Sequence, residues 1–405
     1  MEVTAKEILK IDKTNWALVK FGNIVFEPKE NTKDIYSEGI EHVVGLEHID
    51  SENIHLTRSG NLEETTTFSK KFRKGDVLFG RRRAYLKKAA LASFDGICSG
   101  DITVIRAKKN LLPELFPFIV NNEKFFDYAI KHSAGGLSPR VKFKDLANYE
   151  FLLPPKDQQA QLAELLWAMD EVIEREIVLN EKLESTLDVQ IEKEIHGISI
   201  FSKTINQVLK EAGKNLELIE LCELGELIKG KGIPKSEVIE EGIPCVRYGE
   251  LYTLHDRIIR RYGSFISEKS KTTCLKLKKH DVLFAGSGET ITEIGKSAAF
   301  IDNIEAYAGG DILIFRPHDM DGTYLGYLMN SQLVRQQLNK YGTGATVMHI
   351  YNSDLAKIQV PKISRKEQEL IGVKLEMLSK SLFDVLDRIN SAKALQKSLI
   401  NELFR

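Results

Sequence analysis

The chain has 405 residues, of which 42% are hydrophobic, so it can form two or three domains and does not have the composition of a disordered chain. Its net charge of −1 gives no general sign of a nucleic-acid partner, and its four cysteines lack C-x-x-C spacing, which indicates buried thiols rather than disulfides or a zinc site. No apolar run reaches the roughly 18 residues of a membrane span and no signal core opens the chain, so we expect a cytoplasmic protein without membrane contact.

Short apolar runs separated by glycine and polar residues make up the first part of the chain. The runs DVLF at 76–79, AALASF at 89–94 and ITVIR at 102–106 are rich in residues that favour strands. The segment 112–134 instead has the apolar spacing of helices. The sequence therefore predicts an α+β domain of roughly 150 residues.

The stretch 69–88 within this domain carries nine basic residues and one acidic residue. Arginine can bind guanine edges and phosphates, and an interleaved tyrosine can pack on a base, so the stretch predicts a nucleic-acid contact. The alternative is a solvated charged loop. The loop 133–146 combines glycine, serine and arginine, which suits a close approach to phosphate, although an ordinary turn has the same composition.

A long helix follows the first domain, because residues 157–196 contain no proline or glycine. Its apolar residues recur at alternating steps of four and three, which indicates a coiled-coil seam. The alternative is a helix that packs on its own domain. Residues 156–194 have a net charge of −7, so the rest of the chain carries +6. The seam positions are Leu162, Leu166, Met169, Ile173, Asn180, Leu183 and Leu187, with Glu176 as a polar break.

The second half of the chain repeats the first. KGDVLF at 74–79 recurs as KHDVLF at 279–284, and SGDITVIR at 99–106 recurs as GGDILIFR at 309–316. The order of the motifs is kept, which indicates an internal duplication and hence a second α+β domain. A second heptad row follows it, with Gln396 as its polar break. This row comprises Ile371, Leu375, Leu378, Leu382, Val385, Ile389, Leu399 and Leu403.

The segment DVLFAGSGET at 281–290 resembles the glycine loop of DNA methyltransferases that use S-adenosylmethionine. Its counterpart in the first half, DVLFGRRRAY, has one glycine and three arginines. No Asn/Asp-Pro-Pro-aromatic turn is present, Pro244-Cys245 lacks an accompanying general-acid motif, and Thr290 stands where a phosphate loop needs glycine. The nine histidines show no metal-ligand spacing. We therefore expect no catalytic residue, metal or cofactor on this chain.

The remaining candidates for function are DNA-binding residues on the paired loops of the two halves. In the first half they are Arg81, Arg82, Arg83, Tyr85, Lys87, Lys88, Ser138, Arg140 and Lys142. In the second half they are Ser287, Glu289, Thr290, Thr292, Lys296, Thr343, Thr346 and His349.

Nearly the whole chain resembles the specificity subunit of type I restriction–modification systems. Its strongest marks are the start of each long helix, where Pro154-Pro155 precedes Asp157-Gln158-Gln159 and Pro361 precedes Glu367-Gln368. The GDVLF and HDVLF motifs, followed by SGD and GGD, add to the resemblance. The second helix start departs from the pattern, because Pro361 is not followed by a second proline and stands further from the glutamine.

The resemblance implies two target-recognition domains, at 1–155 and 199–362, and two long spacer helices, at 156–198 and 363–405. The helices would pair antiparallel as a coiled coil, with the halves related by a pseudo-twofold axis. Such a host-defence subunit is not catalytic and reads a bipartite sequence in double-stranded DNA. Its implied partners are two methyltransferase subunits, which would carry S-adenosylmethionine, and motor-nuclease subunits. Two alternatives remain open: a self-contained DNA methyltransferase with divergent motifs, and a coiled-coil scaffold that binds protein.

Overall fold

The chain forms two compact units. The first comprises Met1–Ile177 together with Leu386–Arg405, and the second comprises Val178–Val385, so each long helix contributes to both units. No helix in the described part of the chain combines the length and apolarity of a membrane span. The computed structural model describes residues 12–61, 67–196, 216–288, 290, 293–341 and 348–404.

Within the residues that the structure describes, the globular part of the first unit contains three small sheets and four short α-helices. A four-stranded sheet has the order Val25–Phe26, Ile102–Ala107, Val77–Gly80, Ala89–Leu91. A three-stranded sheet has the order Val43–Val44, Gly96–Cys98, Lys70–Phe72, and a two-stranded sheet pairs Ala17–Lys20 with Glu150–Leu153. The helices are Phe21–Ile24, Phe116–Val120, Glu123–Lys131 and Phe143–Leu146, with 3-10 turns at Leu46–His48 and Ala84–Leu86.

The globular part of the second unit elaborates the same plan. One five-stranded sheet has the order Gly225–Lys229, Ile312–Pro317, Val282–Ala285, Ser297–Ala299, Arg257–Ile258. The other has the order Val238–Ile239, Ser264–Ile266, Ile243–Val246, Tyr307–Ala308, Leu275–Lys276. Two-stranded sheets pair Leu218–Glu220 with Gln359–Pro361 and Ser287–Gly288 with Met348–His349. The helices are Leu221–Leu224, Glu250–Thr253, Gly322–Leu328, Gln332–Tyr341 and Asn352–Leu355, with 3-10 turns at Lys235–Glu237 and Ser270–Thr273.

The repeated DVLF motif forms the same buried ion pair in each unit. Asp76 accepts two hydrogen bonds from Arg106, from Nε at 2.6 Å and from Nη2 at 2.7 Å. Asp281 accepts the equivalent pair from Arg316, at 2.9 and 2.7 Å. Both carboxylates are at most 1% exposed. The aspartate of the motif and the arginine that ends the next repeated motif therefore form a bidentate pair inside the domain.

The predicted long helices are present at Lys156–His196 and Arg365–Leu403 and are called the central and C-terminal helices below. In the first unit Gln396 Nε2 donates to the Leu166 carbonyl, and Arg388 binds Glu176 at 2.9 Å. Residue numbers rise along one helix as they fall along the other, so the two helices run antiparallel there. The residues that interrupt the two apolar heptad rows, Glu176 and Gln396, thus form hydrogen bonds with the opposite helix.

Each helix also packs on globular domains, which the sequence analysis treated as an alternative to the coiled coil. Leu166 and Leu403 lie in the core of the first unit, and Leu187 and Leu375 lie in that of the second. Trp167 donates from Nε1 to the Glu114 carbonyl at 2.8 Å. Both interpretations therefore describe part of the structure: one face of each helix forms the seam and continues into the domain cores.

The buried glutamine at the start of each long helix, Gln159 of the Gln158-Gln159 pair and Gln368 of the Glu367-Gln368 pair, has a structural role. Gln159 accepts a hydrogen bond from the Leu112 backbone N–H at 2.8 Å and donates to the carbonyls of Asn110 and Pro154. Gln368 likewise accepts from the Asp321 N–H at 2.9 Å and donates to a carbonyl of its own segment. Both side chains are buried. In each unit this glutamine therefore connects the helix start to the domain by forming hydrogen bonds with backbone groups that lie inside it.

One local expectation is confirmed and another needs correction. The segment 112–134 is helical as predicted and contains two helices, of which the second is capped by the Asn122 side chain; the corresponding segment 321–342 also contains two helices, divided by a turn at 329–331. The expectation of buried thiols is wrong for Cys222, which is exposed, and for Cys274, which is half-buried. The burial of an isolated cysteine among polar residues cannot be predicted from the sequence, because no periodic apolar pattern surrounds it.

Candidate nucleic-acid interface

Two segments that the sequence marks separately as DNA-binding lie together in the first unit. Arg82 and Arg140 form an antiparallel bridge between the segment 81–88 and the loop 133–146. The Arg83 N–H donates to the Pro139 carbonyl at 2.8 Å, and the Val141 N–H donates to the Arg81 carbonyl at 3.0 Å. The basic segment follows directly on the buried strand Val77–Gly80, so the sheet holds one edge of this surface.

One carboxylate joins the two arginines of the bridge. Asp101 Oδ2 lies 3.1 Å from Arg82 Nη1, and Asp101 Oδ1 lies 2.8 Å from Arg140 Nε. Arg82 Nη2 also donates to Ser138 Oγ at 3.1 Å. Burial of Asp101 opposes its ionisation, but the hydrogen bonds and charges of the two arginines outweigh it and lower the pKa of that carboxyl. Asp101 is therefore ionised at neutral pH and fixes both guanidiniums.

The loop presents its exposed side chains around this cluster. Arg83 and Lys142 are exposed, and Tyr85 is 52% exposed. Leu137, which is not among the residues predicted to bind DNA, is 98% exposed. It lies two residues after Gly135, whose φ of +119° is readily adopted only by glycine. The sequence context could have predicted this exposure, because a leucine between glycines and a serine has no apolar neighbour in the sequence on which to pack.

Lys87 and Lys88 are engaged away from the loop. Lys87 Nζ lies 3.1 Å from Glu123 and 3.4 Å from Glu52, and the hydrogen bond to Glu123 contributes most to raising the pKa of Lys87. Lys88 Nζ donates to the Leu46 carbonyl at 2.7 Å. Both side chains stabilise the domain, and Arg83 and Arg140 are the more accessible cations.

The second unit repeats the backbone arrangement of this surface. The Gly286 N–H donates to the Asp311 carbonyl at 2.9 Å, and the Ile350 N–H donates to the Gly286 carbonyl at 3.1 Å. Ser287 and His349 face each other in the antiparallel pair of short strands. Residues 286–288 and 348–350 thus meet in the way that residues 81–83 and 139–141 do in the first unit.

The equivalent hydrogen bonds in the first unit have nearly the same lengths. The Arg81 N–H donates to the Asp101 carbonyl at 3.0 Å, as Gly286 does to Asp311. Ser287 then occupies the place of Arg82, and His349 occupies the place of Arg140. One backbone scaffold therefore carries a pair of arginines in the first unit and a serine with a histidine in the second.

The glycines at 286 and 288 have a structural explanation. A Cβ on Gly286 would lie 3.0 Å from the Asp311 carbonyl oxygen, and a Cβ on Gly288 would lie 2.9 Å from Tyr252 Oη. Tyr252 Oη donates to the Ser287 carbonyl at 2.7 Å. The glycines thus permit close approach of the chain to itself, which accounts for the resemblance to a cofactor loop.

The other candidates of the second unit are dispersed. Thr290 Oγ1 donates to Glu293 at 2.9 Å, and Lys296 lines a cavity of about 310 Å³ that Glu192 and Arg335 also line. Four of the predicted residues lie outside the described part of the chain: Glu289, Thr292, Thr343 and Thr346.

Comparisons with known proteins point to one family. Residues 5–185 match the family model of the type I restriction modification DNA specificity domain. The chain is also similar to the type I restriction enzyme MjaVIII specificity subunit of Methanocaldococcus jannaschii, with 24% identity over 293 residues that cover 70% of this chain and 67% of that protein.

Two solved structures share the fold. One is the S subunit of a type I restriction–modification system from M. genitalium, with a TM-score of 0.60, 15% identity and 98% of both chains covered. The other comes from work on complex assembly and conformational transition of the type I R-M system, with a TM-score of 0.54 and 20% identity. It covers 96% of this chain and 98% of its own. The α+β architecture with two long helices is thus that of known S subunits.

Proposed function

We propose that this chain is a DNA-specificity subunit of the type I restriction–modification family and that its two domains each read one half of a split sequence in double-stranded DNA. The chain is a recognition subunit and not itself the enzyme. The observation that carries the proposal is the repeated loop scaffold, which supports Arg82 and Arg140 in one unit and Ser287 and His349 in the other. The same loop scaffold with different side chains in the two domains suits recognition of two different DNA sequences.

The exposed cations of the first surface suit DNA in two ways. The exposed side chains of Arg83 and Lys142 can bind phosphates, which are the same at every base pair. Such contacts give an affinity for DNA that does not depend on sequence and that falls as the salt concentration rises. Arginine side chains held in one orientation can instead bind base edges in the major groove. The first unit therefore combines phosphate positioning and base recognition within one pair of loops.

The chain would direct other subunits to the site it reads. Leu370, Val373 and Met377 are 65%, 62% and 70% exposed on the C-terminal helix. At 100° per residue they share one face, which differs from the face of the seam residues. An exposed apolar stripe of this kind suits a protein partner. We assign it to a methyltransferase subunit, which would bring S-adenosylmethionine to the DNA in the cytoplasm; motor-nuclease subunits would join that complex.

Methylation sequencing of host DNA, with and without the gene for this chain, tests the proposal. We expect methylation of a split sequence to vanish when only this chain is absent and to return when it is supplied. The purified chain alone should bind duplex DNA in a salt-dependent manner and should not bind S-adenosylmethionine in calorimetry. Methyl transfer by the single purified chain would contradict the proposal.

A further inference from the structure

We propose that Arg140 reads a guanine in the half-site bound by the first domain, and that Asp101 is the positioning residue that orients it. This inference rests on the proposed function and extends it from a DNA-binding loop to one side chain and one base. It further assigns a different preference to the equivalent place in the second half-site, where His349 stands.

The hydrogen bonds of Arg140 leave its terminal nitrogens for a ligand. Asp101 accepts from Nε at 2.8 Å, which fixes the plane of the guanidinium. Among the described residues, neither terminal Nη group of Arg140 has a hydrogen-bond partner, and the side chain is 45% exposed. Two parallel N–H donors in a fixed plane match O6 and N7 of guanine, which is the commonest specific arginine contact in the major groove.

Arg82 cannot offer the same fork. Its Nη1 donates to Asp101 and its Nη2 donates to Ser138, both at 3.1 Å. Arg82 therefore supports the loop on which Arg140 stands. The backbone bonds between Ala134 and Arg140, at 2.9 and 3.0 Å, close the loop and place Arg140 at its base, where it is held from both sides.

Charge on this surface remains positive after the ion pairs are counted. Asp101 carries one negative charge against Arg82 and Arg140, and Arg83 and Lys142 are exposed beside them. A carboxylate that touches two arginines thus orients them without abolishing the attraction to DNA. This separates orientation, supplied by Asp101, from affinity, supplied by the surrounding cations.

The second unit has the same loop scaffold but no arginine oriented by an aspartate at the equivalent place. The two ring nitrogens of His349 point in different directions and Ser287 has a single O–H, so neither side chain presents two parallel donors. Asp311 stands in the place of Asp101, but no described side chain forms a hydrogen bond with its carboxylate. The second half-site should therefore not require guanine at the equivalent position.

The test uses the full chain in complex with its methyltransferase subunits and sequences the methylated sites. Arg140→Lys keeps the charge and removes the fork, so methylation should lose its guanine preference at one position of one half-site by roughly 5- to 150-fold. Asp101→Asn should relax the same position more weakly. Asp127→Asn, which removes an exposed carboxylate elsewhere in the same unit, is the control for charge and should change neither half-site.

The outcomes separate this inference from the proposed function. If Arg140→Lys methylates the original sequence with unchanged preference, Arg140 does not read a base and the inference is wrong. Equal weakening of all sequences by Arg140→Lys, with a reduced salt slope, would make it a phosphate contact and would also overturn the inference. If the wild-type complex methylates no split sequence, the proposed function itself fails. Arg140 lies on the surface, so its variant decides the question even if Asp101→Asn does not fold.

Discussion

At the scale of single residues, the repeated aspartates of the DVLF motifs serve the fold. Asp76 and Asp281 are buried and each is bound bidentately by an arginine. Removal of the aspartate takes away the buried acceptor of two arginine N–H groups, which costs more than loss of an exposed pair, although Arg106 keeps a second contact with Glu30. The motif therefore recurs because each domain needs the pair.

We expect Asp76→Asn to lower the free energy of unfolding by about 3 kcal/mol, because it removes the buried carboxylate that accepts two hydrogen bonds from Arg106 and leaves that guanidinium only its contact with Glu30 at 3.0 Å. Urea denaturation of the variant and the wild type measures this change. Glu171→Gln is the matched control, because the Glu171–Arg175 pair is exposed and should contribute less than about 1 kcal/mol. Equal effects of the two substitutions would contradict the assigned role of the buried pair.

The contact between His55 and Asp170 predicts a dependence of stability on pH. His55 Nε2 lies 2.8 Å from the Asp170 carboxylate, and this hydrogen bond raises the pKa of His55 against the opposing effect of burial, with Glu174 adding to the rise. The folded state thus favours the protonated ring. Its contribution is fully present below the ordinary pKa of about 6.5 and is lost as pH rises through the raised value.

The difference in unfolding free energy between the wild type and His55→Gln should therefore shrink as pH rises from about 6 to 9. Asp170→Asn is the companion variant and should remove the same dependence, since it removes the charge that favours the protonated ring. A difference that stays constant over this range would exclude protonation of His55 as its cause.

At the scale of elements, the two long helices have faces with different roles. The seam residues are buried or half-buried against the partner helix and the domains, whereas Leu370, Val373 and Met377 are exposed. A stripe of three large apolar side chains is costly to leave in water unless something covers it. The helices are therefore interaction surfaces as well as connectors.

The double variant Val373→Glu with Met377→Glu should weaken binding of the methyltransferase subunit at least roughly tenfold, because it places two charges in an apolar contact. Its unfolding temperature and its affinity for DNA should stay close to those of the wild type. Val373→Leu with Met377→Leu keeps the stripe apolar and should retain binding in a pull-down with the purified subunit. Unaltered binding of the glutamate variant would place the methyltransferase contact elsewhere.

At the scale of the whole molecule, duplication explains how one chain can read two unlike half-sites. Both units keep the bidentate ion pair, the buried glutamine at the helix start and the loop scaffold. The side chains on that scaffold differ, with Arg140 in one unit and His349 in the other. Selection can therefore change one half-site without altering the fold of either domain.

We expect the helices to set the gap between the half-sites. Insertion of one heptad after Ile177 and another after Val385, where the two compact units divide, keeps the packing inside each unit and the facing of the seam. Each insertion adds about 10 Å of helix. Methylation sequencing should show a longer gap with both half-sites unaltered, and a folded variant that keeps the original gap would show that the helices are not the spacer.

The sequence by itself determined the duplication, the α+β domains and the two long helices. These follow from motif order, from apolar periodicity and from the absence of helix breakers between 157 and 196, which are properties of neighbouring residues and need no knowledge of contacts. The antiparallel direction came from the resemblance, and the Arg388–Glu176 contact in the first unit is consistent with it.

Only the tertiary structure decided which of the basic residues share a surface. Arg82 and Arg140 are 58 positions apart, and nothing in either segment indicates that Asp101 joins them. Lys87 looks like its basic neighbours in the sequence, yet it binds Glu123. Hydrogen bonds of this kind arise when distant segments meet in the folded chain, so local composition can indicate a binding loop but cannot show which side chains are oriented and which are already engaged.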